Sequence, residues 1–293
     1  MLFELRNVVY TYLKGTPFAK EALRGLSLSI APQQTTALIG PTQSGKSTVV
    51  DLLTGLLKPL PGTFFFEDSD VSAATFDIER IRSSIGTVFQ SPEAQIFEET
   101  VGKDVSFGPQ RKGVPLAESR RLVQEALEAV GLPYEDFRLR YTYTLSGGQK
   151  RRVAIAGVLA QQPRVIIFDE PTAGLDPRGR RELLAMIRLL KEKQHLAIIY
   201  ASSSLEDVID LADTIHVIDR GALAFSGTPR EVLARADALK ALDVALPEAA
   251  QIALDLKEIM PNIRTDVLNL AELEEEIMRH TPVPQEQREI KTS

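Results

Sequence analysis

The chain has 293 residues, 44% of them hydrophobic, with 34 basic and 40 acidic side chains for a formal net charge of −6. This length suffices for one main α/β core with an appendage. The acidic balance argues against broad binding to nucleic acid, and no apolar run approaches the roughly 18–20 residues that span a bilayer. The absence of cysteine excludes disulfides, thiolate metal ligands and cysteine nucleophiles, which suits the cytosol.

The first predicted elements are two antiparallel strands. Residues 2–30 alternate apolar and polar side chains and are interrupted by Lys14-Gly15-Thr16-Pro17, which predicts a turn. The apolar run Ala37-Leu38-Ile39 then leads into a glycine-rich loop, and residues 49–53 continue as a helix. The loop residues are Gly40, Pro41, Thr42, Gln43, Ser44, Gly45, Lys46, Ser47 and Thr48.

The order strand, glycine-rich loop, helix predicts a phosphate-binding loop. Glycines let successive backbone N–H groups point at phosphate oxygens, and the helix directs its positive N-terminal end at the same place. Lys46 is expected on the β- and γ-phosphates, and the Ser47 hydroxyl is expected to ligate Mg²⁺. The loop therefore predicts a nucleoside triphosphate with Mg²⁺.

The middle of the chain is predominantly helical. Residues 64–66 and 85–89 predict short strands, and residues 91–160 then follow a helical pattern. The clearest helix covers residues 118–130, and Gly131 ends it.

A strand-helix-strand unit follows. Residues 165–168 and 196–200 are continuous apolar runs that fit parallel strands covered on both faces, with a helix over residues 180–193 between them. Both strands are expected to end on the side of the phosphate loop. Residues 214–218 and 222–225 predict a hairpin.

Two adjacent carboxylates, Asp169 and Glu170, follow the first of these buried strands. The carboxyl edge of an open α/β sheet is where ligands bind. Asp169 is expected to hold the hydration shell of Mg²⁺, and Glu170 to orient an attacking water or accept its proton. Alone, such a pair is equally compatible with a solvated strand end.

A second anion site is predicted at Ser146, Gly147, Gly148 and Gln149. The serine and the glutamine three residues later fit the start of a helix, and the two glycines leave its N–H groups uncovered. One ATP has one γ-phosphate, so a second cradle in one chain is expected to serve the nucleotide of a partner. This pattern predicts a dimer.

Composition changes near Asp237, which divides the chain into residues 1–236 and a C-terminal extension over residues 237–293. The extension contains two short amphipathic helices separated by Pro261, and they are too few to form a core alone. The apolar positions are Ile252, Leu256 and Ile259, then Leu270, Leu273 and Ile277 behind an expected capping box of Asn269 with Glu272.

Together these residues resemble the ATPase subunit of ABC transporters. Residues 40–48 are similar to Walker A, 145–149 to the signature, 165–170 to Walker B with its catalytic glutamate, and Asp176 lies in a segment similar to the D-loop. The resemblance implies a P-loop NTPase of α/β class. Its expected parts are a RecA-like mixed-sheet core, an N-terminal antiparallel β subdomain, a helical signature subdomain over about residues 91–160 and a small helical C-terminal extension. It also implies that Gln90 ligates Mg²⁺ and senses a transmembrane partner.

Finer features, such as Phe97-Glu98-Glu99-Thr100-Val101 and Asp176-Pro177-Arg178-Gly179-Arg180, resemble energy-coupling factor transporters, which import vitamins or transition-metal ions. We favour the second of their two ATPase subunits. The implied partners are a second ABC ATPase subunit, in a heterodimer or a homodimer, with a transmembrane coupling protein and a substrate-binding membrane subunit at the cytoplasmic face of the membrane. The C-terminal extension is similar to the dimerising one of that group.

By resemblance Tyr12 stacks on adenine, with Tyr10 and Phe18 as rivals. Ser203 occupies the position of the family's switch histidine, and neither His195 nor His216 fits that register. A serine is shorter than histidine and carries no positive charge, so hydrolysis at this chain's own Walker A is expected to be slow. The alternatives are that a water replaces the imidazole, or that the chain is a regulatory ATP-binding partner or a non-ECF transporter ATPase. Gln43 stands where the family usually has glycine, and its side chain is expected either in solvent or against the loop.

Overall fold

The structure, a computed structural model, describes residues 1–194 and 196–280. Within that part the strands form a four-stranded sheet, in the order β2-β1-β4-β5, and a six-stranded sheet, in the order β10-β9-β3-β8-β7-β6. The strands are β1 (Phe3–Tyr12), β2 (Lys20–Ile30), β3 (Thr35–Ile39), β4 (Phe64–Phe66), β5 (Ser69–Asp70), β6 (Ile85–Val88), β7 (Val165–Asp169), β8 (Ala197–Ser202), β9 (Thr214–Asp219) and β10 (Ala222–Gly227).

The six-stranded sheet is mixed, as the resemblance implied. β6, β7, β8, β3 and β9 are parallel, and β10 is antiparallel to β9. Ile39 pairs with Ser202, and Asp169 pairs with Ala201. The carboxyl ends of β3, β7 and β8 therefore meet at one edge of the sheet, where the phosphate loop begins.

The helices cover both faces of this sheet. Its central strands β3, β7 and β8 are buried on both sides, which fits parallel strands between two layers. The helices are α1 (Lys46–Leu53), α2 (Glu79–Ser84), α3 (Val101–Arg111), α4 (Leu116–Ala129), α5 (Tyr134–Phe137), α6 (Gly147–Leu159), α7 (Pro177–Gln194), α8 (Pro229–Leu233), α9 (Ala236–Ala241), α10 (Glu248–Leu256) and α11 (Leu270–His280).

Two large apolar cores flank the sheet. One lies between the two sheets and includes α1, with Phe3, Leu52 and Ile167 fully buried. The other joins the opposite face to α3, α4, α6 and α7, with Phe168 and Ile187 fully buried. The predicted N-terminal strand pair, the helical middle segment and the C-terminal hairpin are confirmed.

The C-terminal helices form a small core of their own. Ala253, Ile263 and Leu273 are buried in it, and Arg230 of α8 ties it to the main body through Glu272, 2.8 Å away. The predicted apolar face of the first of these helices was wrong at its end. α10 ends at Leu256, so Ile259 lies outside it and is 76% exposed.

The capping box at α11 forms only in half. Asn269 accepts from the N–H of Glu272, 3.0 Å away, but the Glu272 carboxylate accepts from the N–H of Leu268 and from Arg230 instead of from Asn269. One oxygen of this carboxylate thus joins α11 to α8, and the other accepts from the backbone one residue before the predicted position. Among residues 1–194 and 196–280, no helix is long and apolar enough to cross a membrane.

Candidate nucleotide site

The loop between β3 and α1 is shaped by two glycines. A Cβ on Gly40 would lie 2.1 Å from the carbonyl oxygen of Ile218, so no larger residue fits there. Gly45 precedes α1 with φ of +111°, in a region that favours glycine. The N–H of Gly221 donates to Ser44 O at 2.8 Å, which fixes the loop against the hairpin.

The Lys46 ammonium is buried inside this loop. Its Nζ donates to Gly40 O at 2.8 Å and to Pro41 O at 3.1 Å, and it lies 3.7 Å from Glu170 Oε1. Burial lowers the pKa of Lys46, whereas the charges of Glu170 and Asp169 oppose the shift. The loop thus carries a fixed cation facing the two carboxylates at the end of β7.

A cavity of about 320 Å³ lies over the loop. Four of its lining side chains are basic and one is acidic, so it favours an anionic ligand. The lining residues are Tyr12, Lys20, Glu21, Ala22, Arg24, Gln43, Gly45, Lys46, Ser47, Thr48 and Arg220.

Tyr12 lies at one wall of this cavity. Its hydroxyl is 3.2 Å from Thr48 Oγ1 and donates to Asp51 Oδ2 at 3.5 Å. Its rivals do not line the cavity: Tyr10 packs edge-on against Tyr12, and Phe18 is 79% exposed. Burial raises the pKa of Tyr12, so its hydroxyl stays protonated at neutral pH.

Asp169 presents an unsatisfied oxygen to the site. Its Oδ1 is buried without a hydrogen-bond partner. Burial, together with the charges of Glu170 and Asp51, raises the pKa of Asp169 to about 6, and Lys46 opposes the shift. A carboxylate oxygen and the Ser47 hydroxyl are hard ligands of the kind that Mg²⁺ prefers, so these residues fit the cation.

Glu170 is fixed at both carboxylate oxygens. Ser202 Oγ and Ser203 Oγ each donate to Oε2 at 3.4 Å, and Lys46 lies near Oε1. Its backbone adopts φ of +46°, uncommon for a residue with a side chain, and its N–H donates to Ala201 O at 2.9 Å. The predicted Ser203 is exposed, whereas Ser202 is fully buried and was missed. The run of three serines was the available signal.

The other residues predicted for the phosphate site, Gln43, Thr42 and Gln90, lie at the edge of the loop or beyond the cavity. Gln43 has φ of +67°, and its Oε1 accepts from Lys20 Nζ at 3.4 Å, so the side chain lies over the loop. Thr42 is exposed beside it. Gln90 lies in an exposed bend directly after β6, at the same edge of the sheet as Asp169, and does not line the cavity.

The second anion site lies at the start of α6. Ser146 and Gln149 form the predicted capping box, and a Cβ built on Gly147 or Gly148 would point into open space beyond its own helix and chain neighbours. None of these four residues lines the cavity over the phosphate loop. Asp176 caps α7 by accepting from the N–H of Gly179 at 2.7 Å.

Neither excluded histidine enters the site. His216 lies on β9, where its Nε2 contacts Ser29 O at 3.0 Å, and His195 is outside the described residues. The sequence did not reveal one buried carboxylate, Asp207, which accepts hydrogen bonds from Arg180 and Thr172.

Comparison with known proteins identifies the family of the chain. Residues 23–173 match the family model described as ABC transporter. The chain is 45% identical over 276 residues to the energy-coupling factor transporter ATP-binding protein EcfA2 of Clostridioides difficile, with 94% of this chain and 96% of that protein covered. It is 42% identical to the EcfA2 protein of Clostridium acetobutylicum, with 95% and 98% covered.

Two solved structures are also similar. CbiO1 of Clostridium perfringens, described as part of the ABC transporter complex CbiONQ, has 34% identity and a TM-score of 0.73, covering 89% of this chain and 98% of that one. A dimeric ATP-binding cassette in a post-hydrolysis state with ADP and Pi has 27% identity and a TM-score of 0.66, covering 78% and 98%.

Proposed function

Because this chain belongs to the ABC transporter ATP-binding proteins, and within them to the energy-coupling factor ATP-binding subunits, we propose that it hydrolyses Mg·ATP in a two-site dimer to drive an importer. It is an ABC-type ATPase subunit of a transport system. The finer proposals concern the dimer, the roles of individual residues and the membrane partners.

One observation supports the dimer above all. The cavity over the phosphate loop is lined by Walker A residues and Tyr12 but by no residue from 146 to 149, while Gly147 and Gly148 face open space. The uncovered N–H groups at the start of α6 and its positive dipole end suit a phosphate. Two copies, or this chain and a related subunit, complete each other's sites if each α6 faces the other's phosphate loop.

In the proposed mechanism Lys46 and the loop N–H groups hold the β- and γ-phosphates. Mg²⁺, held by Ser47, Gln90 and, through water, Asp169, would neutralise charge that develops on the transferred phosphoryl group. Glu170 orients the attacking water and accepts its proton, and the serines at Oε2 hold its carboxylate in one orientation. Tyr12 stacks on adenine, and Asp176, in the segment similar to the D-loop, caps α7.

Ser203 stands where the family has its switch histidine, and this difference has a kinetic consequence. Its hydroxyl donates to Glu170 Oε2 rather than extending beyond the carboxylate. Losing one donor to developing charge typically costs about 10²–10³ in rate. We therefore propose that ATP on this chain's phosphate loop turns over slowly, while Ser146–Gln149 supports a faster site on the partner.

Single-turnover hydrolysis tests this proposal, with the partner's own phosphate loop disabled by substitution of its lysine. Ser203→His is expected to raise the rate at this chain's site at least tenfold, and Ser203→Ala is the matched control that adds no donor. An unchanged rate in Ser203→His would refute the slow-site proposal. A rate below detection in both would favour the second candidate, a regulatory subunit that closes on ATP without hydrolysing it, which the serine at position 203 also supports.

The proposed assembly places the chain at the cytoplasmic face of the membrane. Its partners would be a second ATPase subunit, preferably a different one, a transmembrane coupling protein that contacts the Gln90 region, and a membrane subunit that binds a vitamin or a transition-metal ion. The extension over residues 237–293 is proposed to join the two ATPase subunits; its last residues, 281–293, lie outside the described part. Co-purification from native membranes with identification of the associated chains tests this assembly.

A further inference from the structure

Arg151 is a buried cation that the proposed mechanism leaves without a role. It lies on the second turn of α6 and is only 8% exposed. The first turn of α6 carries no acidic residue, and the positive end of a helix disfavours a cation. Burial of a guanidinium is unfavourable unless its N–H groups find acceptors. Its contacts therefore show what holds it there.

Those contacts join three segments of the proposed site. Arg151 Nη1 donates to the carbonyl oxygen of Pro171, the residue directly after Glu170, at 3.1 Å. Its Nη2 lies 3.5 Å from Glu93 Oε2, in the segment that follows Gln90. Its own helix begins with the glycines of the second anion site, Gly147 and Gly148.

Arg151 lies between α6 and the start of α7. A cavity of only about 50 Å³ lies beside it and is lined on the α6 side by Gly148 and on the other by Leu175 and Gly179, around the cap of α7. The guanidinium contact with the carbonyl oxygen of Pro171 thus links the start of α6 to the residues after Glu170. A shift of either one displaces the other, because packed interiors transmit small movements.

We propose that Arg151 is a positioning residue that joins the two half-sites of one chain: it fixes the Glu170–Pro171 backbone to the start of α6. This inference rests on the proposed function, in which Glu170 serves this chain's ATP and the start of α6 serves the partner's. Closure of α6 on the partner's nucleotide is then conveyed to Glu170 through one guanidinium. Arg151 contacts neither ATP in this scheme, so it affects turnover without contributing to nucleotide binding.

The test uses the full chain assembled with its partner ATPase subunit and compares Arg151→Met, Arg151→Lys and Arg121→Met. The last variant is the matched control, since the ion pairs of Arg121 with Glu118 and Glu125 are exposed on α4. Arg151→Met is expected to lower kcat at least tenfold with KM for ATP within twofold. Amide hydrogen exchange in residues 170–176 should become at least tenfold faster, while the interior of α6 stays protected. Arg151→Lys, which reaches one acceptor at a time, should be intermediate in both readouts.

Several results would overturn the proposal. Wild-type kcat in Arg151→Met, a rise in KM without a fall in kcat, or unchanged exchange in residues 170–176 would each do so. If Arg151→Met fails to fold, Arg151→Lys decides the matter, and its equality with wild type in kcat and exchange refutes the role. Failure of the proposed function is distinguishable, because the wild-type assembly would then show no turnover while the exchange comparison still reports on positioning.

Discussion

Replacing Asp169 with asparagine is expected to stabilise the ligand-free protein at neutral pH, although it should weaken the proposed metal site. Burial and the nearby Glu170 and Asp51 raise the pKa of Asp169 from 3.8 to about 6. A carboxyl with a raised pKa binds its proton more tightly in the folded state than in the unfolded state. Wild-type stability therefore falls as pH rises from about 4 to above 6, and stays lower beyond it.

The magnitude follows from the shift. A rise of about two pKa units corresponds to roughly 3 kcal/mol. Part of the Asp169 side chain remains open to solvent, so screening reduces this to about 1–2 kcal/mol. The amide of Asp169→Asn also lacks a hydrogen-bond partner at the buried oxygen, but that cost is independent of pH. The diagnostic quantity is therefore the pH dependence of the difference between variant and wild type.

Urea unfolding at pH 4.5 and pH 7.5, without nucleotide, measures this difference. The stability of Asp169→Asn relative to wild type should rise by about 1–2 kcal/mol between the two pH values. Asp68→Asn, at an exposed carboxylate, is the control and should show no such rise. In saturating Mg·ATP this advantage should shrink, because the wild type binds Mg²⁺ with one more ligand and a ligand stabilises the folded state by about 2.7 kcal/mol at a hundredfold excess over Kd. A pH-independent difference would refute the reasoning.

Three further predictions use the same unfolding assay. Ser146→Ala removes the side chain that caps α6 together with Gln149, and it should lower the free energy of unfolding by about 1 kcal/mol. A decrease of less than about 0.3 kcal/mol would contradict the capping role. Gln43→Gly should raise the free energy of unfolding by about 0.5–1 kcal/mol. Glycine removes the strain of the left-handed backbone at Gln43, and this gain exceeds the extra entropy that glycine gives to the unfolded chain. Gln43→Ala keeps the strain and should gain nothing. Burial lowers the pKa of His216, so the folded protein favours the neutral imidazole. This stabilisation is complete above about pH 6.5 and is lost as the pH falls. His216→Phe should not lose stability in this way, and an identical pH profile in the two proteins would disprove the prediction.

The sequence predicted those features whose cause is local. Strand, glycine turn and helix at residues 37–53 are encoded by neighbouring residues, as is the cap at Ser146, and both formed as expected. The prediction was wrong where a distant group changed a local preference. Glu272 accepts from the N–H of Leu268 rather than from that of Asn269, and its other oxygen binds Arg230, 42 residues away.

The tertiary structure alone decided which side chains meet. Lys46 and Glu170 come within 3.7 Å only because β3 and β7 end at one edge of the sheet, on either side of β8. Ser202 reaches Glu170 from that intervening strand, and Arg151 reaches Pro171 across 20 residues. No local pattern encodes such contacts, because they arise from the strand order and from the packing of helices on the sheet. The sequence by itself determined which chemical groups the chain possesses, and the fold determined which of them share a site.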